Sequence, residues 1–185
     1  YKLDRVYEYL ASSKDMVMRY RFGGELDLSA FVDASWAVHD DCHGRTGIVI
    51  MMAGCAVASW TFKQKIVTVS STESELVALS DALKHIMWFR RFLTAQGFVL
   101  GPIPVYQDNK SVLELMKGGR KSHQRTKHLD VRLFYASDLD KAGDIALEWI
   151  PTTDMIADLM TKPLQGQTFK HLTAPARQPC RSWHH

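Results

Sequence analysis

The sequence predicts one α/β domain in which helices flank a mixed β-sheet. In the first third of the chain, apolar residues alternate with other residues in short runs separated by glycines, which is typical of antiparallel strands. A long stretch with a 3.6-residue apolar period follows, and then short strand and helix patterns alternate, which favours an α/β second part. A chain of 185 residues is long enough for one domain with a substantial core.

The first elements are predicted from the 3.6-residue period of helices and the two-residue period of strands. Residues 2–12 have the apolar spacing of an amphipathic helix. Gly23-Gly24 and Gly54 supply turns in the segment that follows. Period-two alternation predicts four strands, at residues 16–20, 26–32, 47–52 and 56–62.

The later elements begin with a long helix over residues 71–96 that stops at Gly97. Beyond Leu164 we expect order to be lost, because residues 173–185 have two prolines and no period. This tail is expected to be a linker, a fraying end or residues foreign to the protein. The elements between are predicted as strands at 103–106 and 145–150 and helices at 111–117, 129–139 and 155–160.

Composition is that of an ordinary globular protein, with 46% hydrophobic and 23% charged residues. The formal net charge of +3 is too small to indicate a polyanionic partner by itself. Residues 117–128 hold five basic residues and no acid, a pattern as typical of a solvated loop as of phosphate contacts.

Other classes of protein are disfavoured. Three cysteines without metal-ligand spacing predict neither a disulfide framework nor a zinc site, so a reducing compartment is expected. The most apolar stretch, residues 47–60, falls short of the roughly 20 residues that span a bilayer, and no membrane partner is expected. The chain starts without Met and without a signal-peptide pattern, and we interpret it as a processed or excised piece.

Four acidic residues near the ends of predicted elements are candidate metal ligands. Asp33 closes the strand at 26–32, and Asp108 closes the strand at 103–107. Glu75 lies near the start of the long helix, and Asp158 lies in the last short helix. Two-metal phosphodiester hydrolysis needs several carboxylates at one place, because hard cations such as Mg²⁺ prefer oxygen ligands.

Each candidate has a structural alternative. Asp33 could be a turn residue and Asp108 a helix N-cap. Asp154, close to Asp158, fits the first-turn acid of a helix. Glu75 falls on the apolar face of the long helix, whereas Glu73 stands three residues after Ser70, the spacing of a capping box. We therefore prefer Glu75 as the ligand.

Six blocks in order resemble the ribonuclease H domain of copia-type retrotransposons, with similarity across residues 28–165. Such a set of blocks in the right order and spacing is a specific signal. The blocks are Phe-Val-Asp-Ala-Ser-Trp at 31–36, Ser-Trp-Thr-Phe-Lys-Gln-Lys at 59–65, Val-Ser-Ser-Thr-Glu-Ser-Glu-Leu-Val-Ala-Leu at 69–79, Tyr-Gln-Asp-Asn-Lys-Ser at 106–111, Thr-Lys-His-Leu-Asp-Val-Arg at 126–132 and Ile-Ala-Asp-Leu-Met-Thr-Lys-Pro-Leu at 156–164.

The resemblance implies a ribonuclease H fold, with a five-stranded mixed sheet flanked by helices. It implies that Asp33, Glu75, Asp108 and Asp158 bind two Mg²⁺ or Mn²⁺ ions and catalyse endonucleolytic cleavage of the RNA strand of RNA–DNA hybrids during reverse transcription. Selectivity for RNA is expected from 2′-hydroxyl contacts in the minor groove. Six residues are candidates for substrate contacts, with helix caps and turns as their alternative roles: Ser35, Ser71, Thr72, Asn109, Lys127 and His128.

The resemblance also divides the chain into three parts. Residues 1–22 are expected to be the tail of the connection to a reverse transcriptase domain of the same polyprotein, residues 23–165 the ribonuclease H domain, and residues 166–185 a partly disordered tail. The expected location is a cytoplasmic virus-like particle, with the nucleus as an alternative. The oligomeric state stays open.

Two departures from cellular ribonucleases H stand out. The loop before the last acid, residues 151–155, contains no histidine, so His123 or His128 could act there only if the fold brings it near Asp158. A basic helical protrusion is not evident. Two other functions stay open: a related polynucleotidyl transferase, and a catalytically weak or domesticated module that binds hybrid or a partner protein.

Overall fold

The computed structural model describes residues 2–18, 20, 26–37, 40–117, 127–174 and 178–179. The helices are α1 (Lys2–Ser13), α2 (Ser71–Ala95), α3 (Lys110–Lys117), α4 (Lys127–Lys141), α5 (Asp158–Thr161) and α6 (Gly166–Thr173). The strands are β1 (Met16–Val17), β2 (Leu28–Ser35), β3 (His43–Met52), β4 (Cys55–Val67), β5 (Ile103–Gln107), β6 (Ile145–Trp149) and β7 (Gln178–Pro179). A single 3₁₀ turn covers Thr152–Asp154. No described helix is both long and apolar enough to cross a membrane.

The main sheet has five strands in the order β4-β3-β2-β5-β6. Strands β2, β3 and β4 form an antiparallel meander, whereas β5 pairs parallel to β2 and β6 pairs parallel to β5. The predicted mixed sheet is therefore confirmed. The turn between β3 and β4 lies at Ala53 and Gly54, both with positive φ, as the glycine there predicted.

Alternation along the strands sends side chains to two different cores. On one face, Ala30 and Val32 of β2 join the large cluster that includes Leu76 and Leu79 of α2. On the other face, Val49 of β3 packs with Met155 in a smaller cluster beside α5. The helix α4 packs against both α2 and β6, so the first face carries α2 and α4, and the second face carries the short α5.

Two predicted strands differ from the structure. The predicted strand at 16–20 is only β1, and Met18 and Tyr20 are 49% and 40% exposed rather than half-buried in a sheet. Its partner is the two-residue β7, which cannot support a longer ladder. Strand β2 runs on to Ser35, so Asp33 lies inside the strand and pairs with Gly47. The predicted turn at residues 23–24 lies outside the described residues.

The last predicted helix, over residues 155–160, is present with shifted bounds, because α5 covers Asp158–Thr161. Met155, Ile156 and Ala157 are buried in an irregular segment that fills the smaller core, and α5 begins only at Asp158. Asp154 lies in the 3₁₀ turn and is exposed. Apolar residues that pack into a core from a loop can mimic a helical period.

The predicted loss of order directly after Leu164 is wrong. Helix α6 follows, and its Leu172 is 2% exposed. The Phe169 ring makes an edge-on contact with Tyr9 of α1, with 5.9 Å between ring centroids. Most of the predicted tail after residue 174 lies outside the described residues.

Candidate metal centre

Three of the four predicted acids converge. Asp33, Glu75 and Asp108 each offer one carboxylate oxygen, and these oxygens lie within 4.8 Å of one another. Asp33 comes from β2 and Asp108 follows β5, and because these strands are parallel, their carboxyl ends meet at one edge of the sheet. Glu75 reaches the same point from the first turns of α2. We refer to these three residues as the acid cluster.

The start of α2 is capped in the way that the sequence predicted. The Ser70 side chain accepts a hydrogen bond from the Glu73 backbone N–H at 3.2 Å. In return, the Glu73 carboxylate accepts from the Val69 N–H at 2.9 Å. The structural role predicted for Glu73 is confirmed, and Glu75 remains available to the cluster.

A buried amide fastens the first turns of α2 to the sheet. Gln64 of β4 donates through Nε2 to the Ser74 carbonyl at 2.8 Å, and its Oε1 accepts from Ser74 Oγ at 3.0 Å. Nε2 also lies 3.3 Å from Thr46 Oγ1 on β3. A Cβ at Gly44 would fall 2.7 Å from both Gln64 Oε1 and Ser74 Oγ, so glycine leaves the space for this contact. Gln64 thereby fixes the residue before Glu75, a role that sequence reasoning missed.

Asp108 is oriented by the last residue of β6 and by the 3₁₀ turn that follows it. Thr152 Oγ1 donates to Asp108 Oδ2 at 2.8 Å, and Trp149 Nε1 donates to the Asp108 carbonyl at 3.0 Å. The alternative role of Asp108 as the cap of α3 is wrong, because Asn109 Oδ1 accepts from the Ser111 N–H at 3.0 Å. The Asp108 carboxylate is therefore not used by the helix.

Asp158 lies beside the cluster but has another partner. Its Oδ1 accepts from Lys162 Nζ at 2.6 Å, and the same ammonium lies 3.7 Å from Asp33 Oδ2. Thr161 Oγ1 donates a short hydrogen bond to Asp33 Oδ2. Sequence reasoning missed Thr161 and Lys162, although the four-residue spacing of Asp158 and Lys162 was a signal for an ion pair.

Burial makes ionisation of Asp33 and Glu75 unfavourable. It raises the pKa of Asp33 to about 7, helped by the charges of Asp158 and Asp108 and opposed by the Thr161 hydrogen bond and Lys162. Burial, together with the charges of Asp33 and Asp108, raises the pKa of Glu75 well above its usual range. The negative charges of neighbouring acids therefore raise these two pKa values in the same direction as burial does.

The donor set fits a hard divalent cation. All three groups are carboxylates, the ligands that Mg²⁺ and Mn²⁺ prefer. Glu75 is 6% exposed, and its Oε2 is buried without a hydrogen-bond partner among the described residues. A buried carboxylate oxygen of this kind would gain its missing partner from a cation.

The predicted substrate-contact residues occupy varied positions. Ser35 is 7% exposed, with a buried Oγ that has no partner within the described residues. Ser71 and Thr72 lie in the first turn of α2, and Asn109 caps α3. Lys127 and His128 are exposed in the first turn of α4. Thr152 stands in the loop where cellular ribonucleases H often have a histidine, and His123 lies outside the described residues.

Sequence comparison relates the chain to transposon polyproteins. No protein-family model matches the chain. It is 32% identical over 173 residues to a retrovirus-related Pol polyprotein from transposon RE2 of Arabidopsis thaliana, covering 92% of this chain. It is 33% identical over 152 residues to the Pol polyprotein from transposon TNT 1-94 of Nicotiana tabacum, covering 80% of this chain. The chain spans 12% and 11% of the length of these two curated relatives.

Solved structures share the fold at low sequence identity. The N-terminal RNase H domain of Rv2228c from Mycobacterium tuberculosis aligns with a TM-score of 0.53 and 17% identity, over 82% of this chain and 97% of that chain. LC11-RNase H1, solved in complex with an RNA/DNA hybrid, aligns with a TM-score of 0.54 and 16% identity, over 72% of this chain and 92% of that chain. These likenesses show that the chain has the ribonuclease H fold.

Proposed function

From the premise that this chain belongs to the Pol polyproteins of copia-type retrotransposons and is their ribonuclease H domain, we propose that it cleaves the RNA strand of RNA–DNA hybrids endonucleolytically. The observation that carries the proposal is the acid cluster, in which Asp33 and Asp108 lie at the carboxyl ends of β2 and β5 and Glu75 comes from α2. Oxygen ligands from three separate elements at one sheet edge suit metal-dependent phosphodiester hydrolysis.

Asp33, Glu75, Asp108 and Asp158 would hold two divalent ions, Mg²⁺ or Mn²⁺. When bound, such ions activate a water and stabilise the charge on the leaving 3′ oxygen. The protein contributes position: Thr152 orients Asp108, Thr161 orients Asp33, and the Gln64–Ser74 contact sets the start of α2. A cation at the cluster would favour the ionised forms of Asp33 and Glu75 over the protonated forms, so acid would oppose cation binding.

Recognition of the RNA strand is proposed to rest on residues around the cluster. Ser35, Ser71, Thr72 and Asn109 lie next to or within a few residues of its acids and offer hydroxyl or amide groups for 2′-hydroxyl and phosphate contacts. Lys127 and His128 would add phosphate contacts at the start of α4. The reverse transcriptase domain of the same polyprotein is the proposed partner, inside a cytoplasmic particle or in the nucleus.

The test is cleavage of a labelled RNA–DNA hybrid with Mg²⁺ or Mn²⁺, beside RNA–RNA and DNA–DNA duplexes. We expect cutting of hybrid RNA alone, lost in Asp108→Asn. Asp154→Asn is the matched control, because Asp154 is an exposed acid on the same segment as Asp158. Cutting that survives Asp108→Asn would contradict the proposed site.

A folded, metal-competent protein that binds hybrid without cutting it would instead favour the catalytically weak or domesticated module. That outcome would be separated from a folding defect by circular dichroism and by hybrid-binding titration on the same preparation.

A further inference from the structure

Lys162 places a positive charge inside the candidate metal centre. Its Nζ lies 2.6 Å from Asp158 Oδ1 and 3.7 Å from Asp33 Oδ2, so the ammonium lies close to the carboxylates of both residues. The side chains of Asp33 and Asp158 are 2% and 6% exposed, whereas that of Lys162 is 37% exposed. A partly exposed cation therefore contacts two buried anions.

This ammonium stays charged in the protein. A lysine ammonium is charged at neutral pH unless it is deeply buried, and the Lys162 side chain is 37% exposed. Its charge reduces the repulsion between the carboxylates of Asp33 and Asp158.

The pairing also separates the four acids into two groups. Asp33, Glu75 and Asp108 share a set of mutually close oxygens, and Asp158 is outside that set. Asp158 is also the acid whose carboxylate accepts a hydrogen bond from the Lys162 ammonium. The cluster can thus accept one cation directly, whereas a cation at Asp158 would compete with the Lys162 ammonium for the same carboxylate.

Such an exchange needs little movement of the backbone. The Lys162 N–H donates to the Asp158 carbonyl at 2.9 Å, and Thr161 holds Asp33 from the same turn. A flexible side chain can swing to solvent while these contacts persist, because the charged end of a lysine is readily solvated.

We propose that Lys162 is a built-in counter-ion for Asp158, which a second divalent cation must displace, so that the site binds its first ion readily and its second ion weakly. The inference rests on the proposed metal site. It assigns to Lys162 the control of the second loading step.

The test measures Mn²⁺ binding to the metal-free protein without substrate, by electron paramagnetic resonance of free Mn²⁺ at pH 8. The wild type should bind one ion more tightly than the other. In Lys162→Met, which keeps much of the aliphatic stem, the weaker Kd should tighten by about tenfold, a value discounted for the exposure of Lys162. Lys162→Gln should act in the same direction, and Lys162→Arg should leave the weaker Kd near that of the wild type.

Lys84→Met is the matched control. Lys84 pairs with Asp81 on α2 at 3.3 Å, so Lys84→Met also removes a local lysine–aspartate pair, but away from the cluster. An unchanged weaker Kd in both Lys162→Met and Lys162→Gln would overturn the inference, as would an equal change in Lys84→Met. If the wild type cleaves hybrid and the Lys162 variants bind Mn²⁺ as the wild type does, only this inference is contradicted. If the Lys162 variants bind the weaker Mn²⁺ more tightly and the wild type does not cleave hybrid, only the proposed function is contradicted.

Discussion

At the scale of single residues, Asp33 and Glu75 of the acid cluster lie where burial favours the neutral form of their carboxyl groups. Asp33 is 1% exposed, and the hydrogen bond from Thr161 and the charge of Lys162 compensate only part of its desolvation. Glu75 has a buried oxygen without a partner in the described part of the chain. The metal-free site is thus a source of instability, which bound cations would relieve.

The raised pKa of Asp33 predicts how stability depends on pH. Its pKa is about 7 in the folded protein against 3.8 ordinarily. Between these two pKa values, the folded state holds a proton on Asp33 that the unfolded state has released. The contribution of protonated Asp33 to the free energy of unfolding is therefore full below about pH 4 and is lost as the pH rises through about 7. With EDTA, we expect the Tm to fall between pH 5 and pH 8. Asp33→Asn should flatten that fall, measured by calorimetry at matched ionic strength, and an unchanged slope would contradict the assignment.

At the scale of elements, the site depends on how α2 and α5 pack against the sheet. Gln64 holds α2 by hydrogen bonds, and Gly44 leaves the space for this close contact. Gly47 seats α5, since a Cβ there would fall 2.7 Å from Thr161 Cγ2 and 2.9 Å from the Ala157 carbonyl. Strands β3 and β4 thus supply no acid to the cluster but determine where its acids stand.

Removing the Gln64 amide should weaken both the fold and the site. Gln64→Ala leaves Ser74 without its buried partners and opens a cavity, so the free energy of unfolding should fall by roughly 2–4 kcal/mol. Urea denaturation measures the loss, and Mn²⁺ titration should show weaker binding because Glu75 is no longer positioned. The exposed Gln167→Ala should change stability by less than about 0.5 kcal/mol. Equal effects of the two changes would contradict the role of Gln64.

Gly47→Ala should push α5 off the sheet. The new methyl group meets side chains and a carbonyl below 3.0 Å, so we expect a loss of about 1–3 kcal/mol of stability and weaker hydrogen bonding between Thr161 and Asp33. Gly101→Ala is the matched control, because its Cβ would meet nothing within 4 Å. Comparable thermal stability of the two variants would show that α5 is not held by this contact.

At the scale of the whole molecule, the sequence predicted what periodicity and element ends can encode. The mixed sheet and α2 follow from such local patterns, and the element ends marked Asp33, Glu75 and Asp108 as candidates. That these acids form one site was implied by the resemblance, because local periodicity does not encode which strands are neighbours. The last short helix was predicted three residues too early, because the apolar residues 155–157 pack into the smaller core from an irregular segment and α5 begins at Asp158. Helix α6 was missed because its order depends on Leu172, which is buried only by the rest of the fold.

The limits of the domain form the last prediction. Helix α1 has no buried residue, and the exposed fractions of Leu3, Val6, Tyr7 and Leu10 range from 50% to 63%. Its described ring contact, Tyr9 with Phe169, is worth only about 0.5–1.5 kcal/mol beyond area burial. A chain that starts at residue 23 should therefore unfold cooperatively with a Tm within a few degrees of the full chain and should still bind Mn²⁺.

A chain that ends at Leu164 should be less stable than the chain that starts at residue 23. It loses the buried Leu172 side chain, which contributes roughly 1.5–3 kcal/mol to the free energy of unfolding. Calorimetry of both truncated chains at one pH, with and without Mn²⁺, measures the difference. If removal of residues 1–22 destabilised the protein more than removal of α6, the first segment would be part of the folded domain rather than a connection to a preceding one. The apolar face of α1 would then have to be packed against this domain in solution, and its exposed leucines should resist replacement by polar residues.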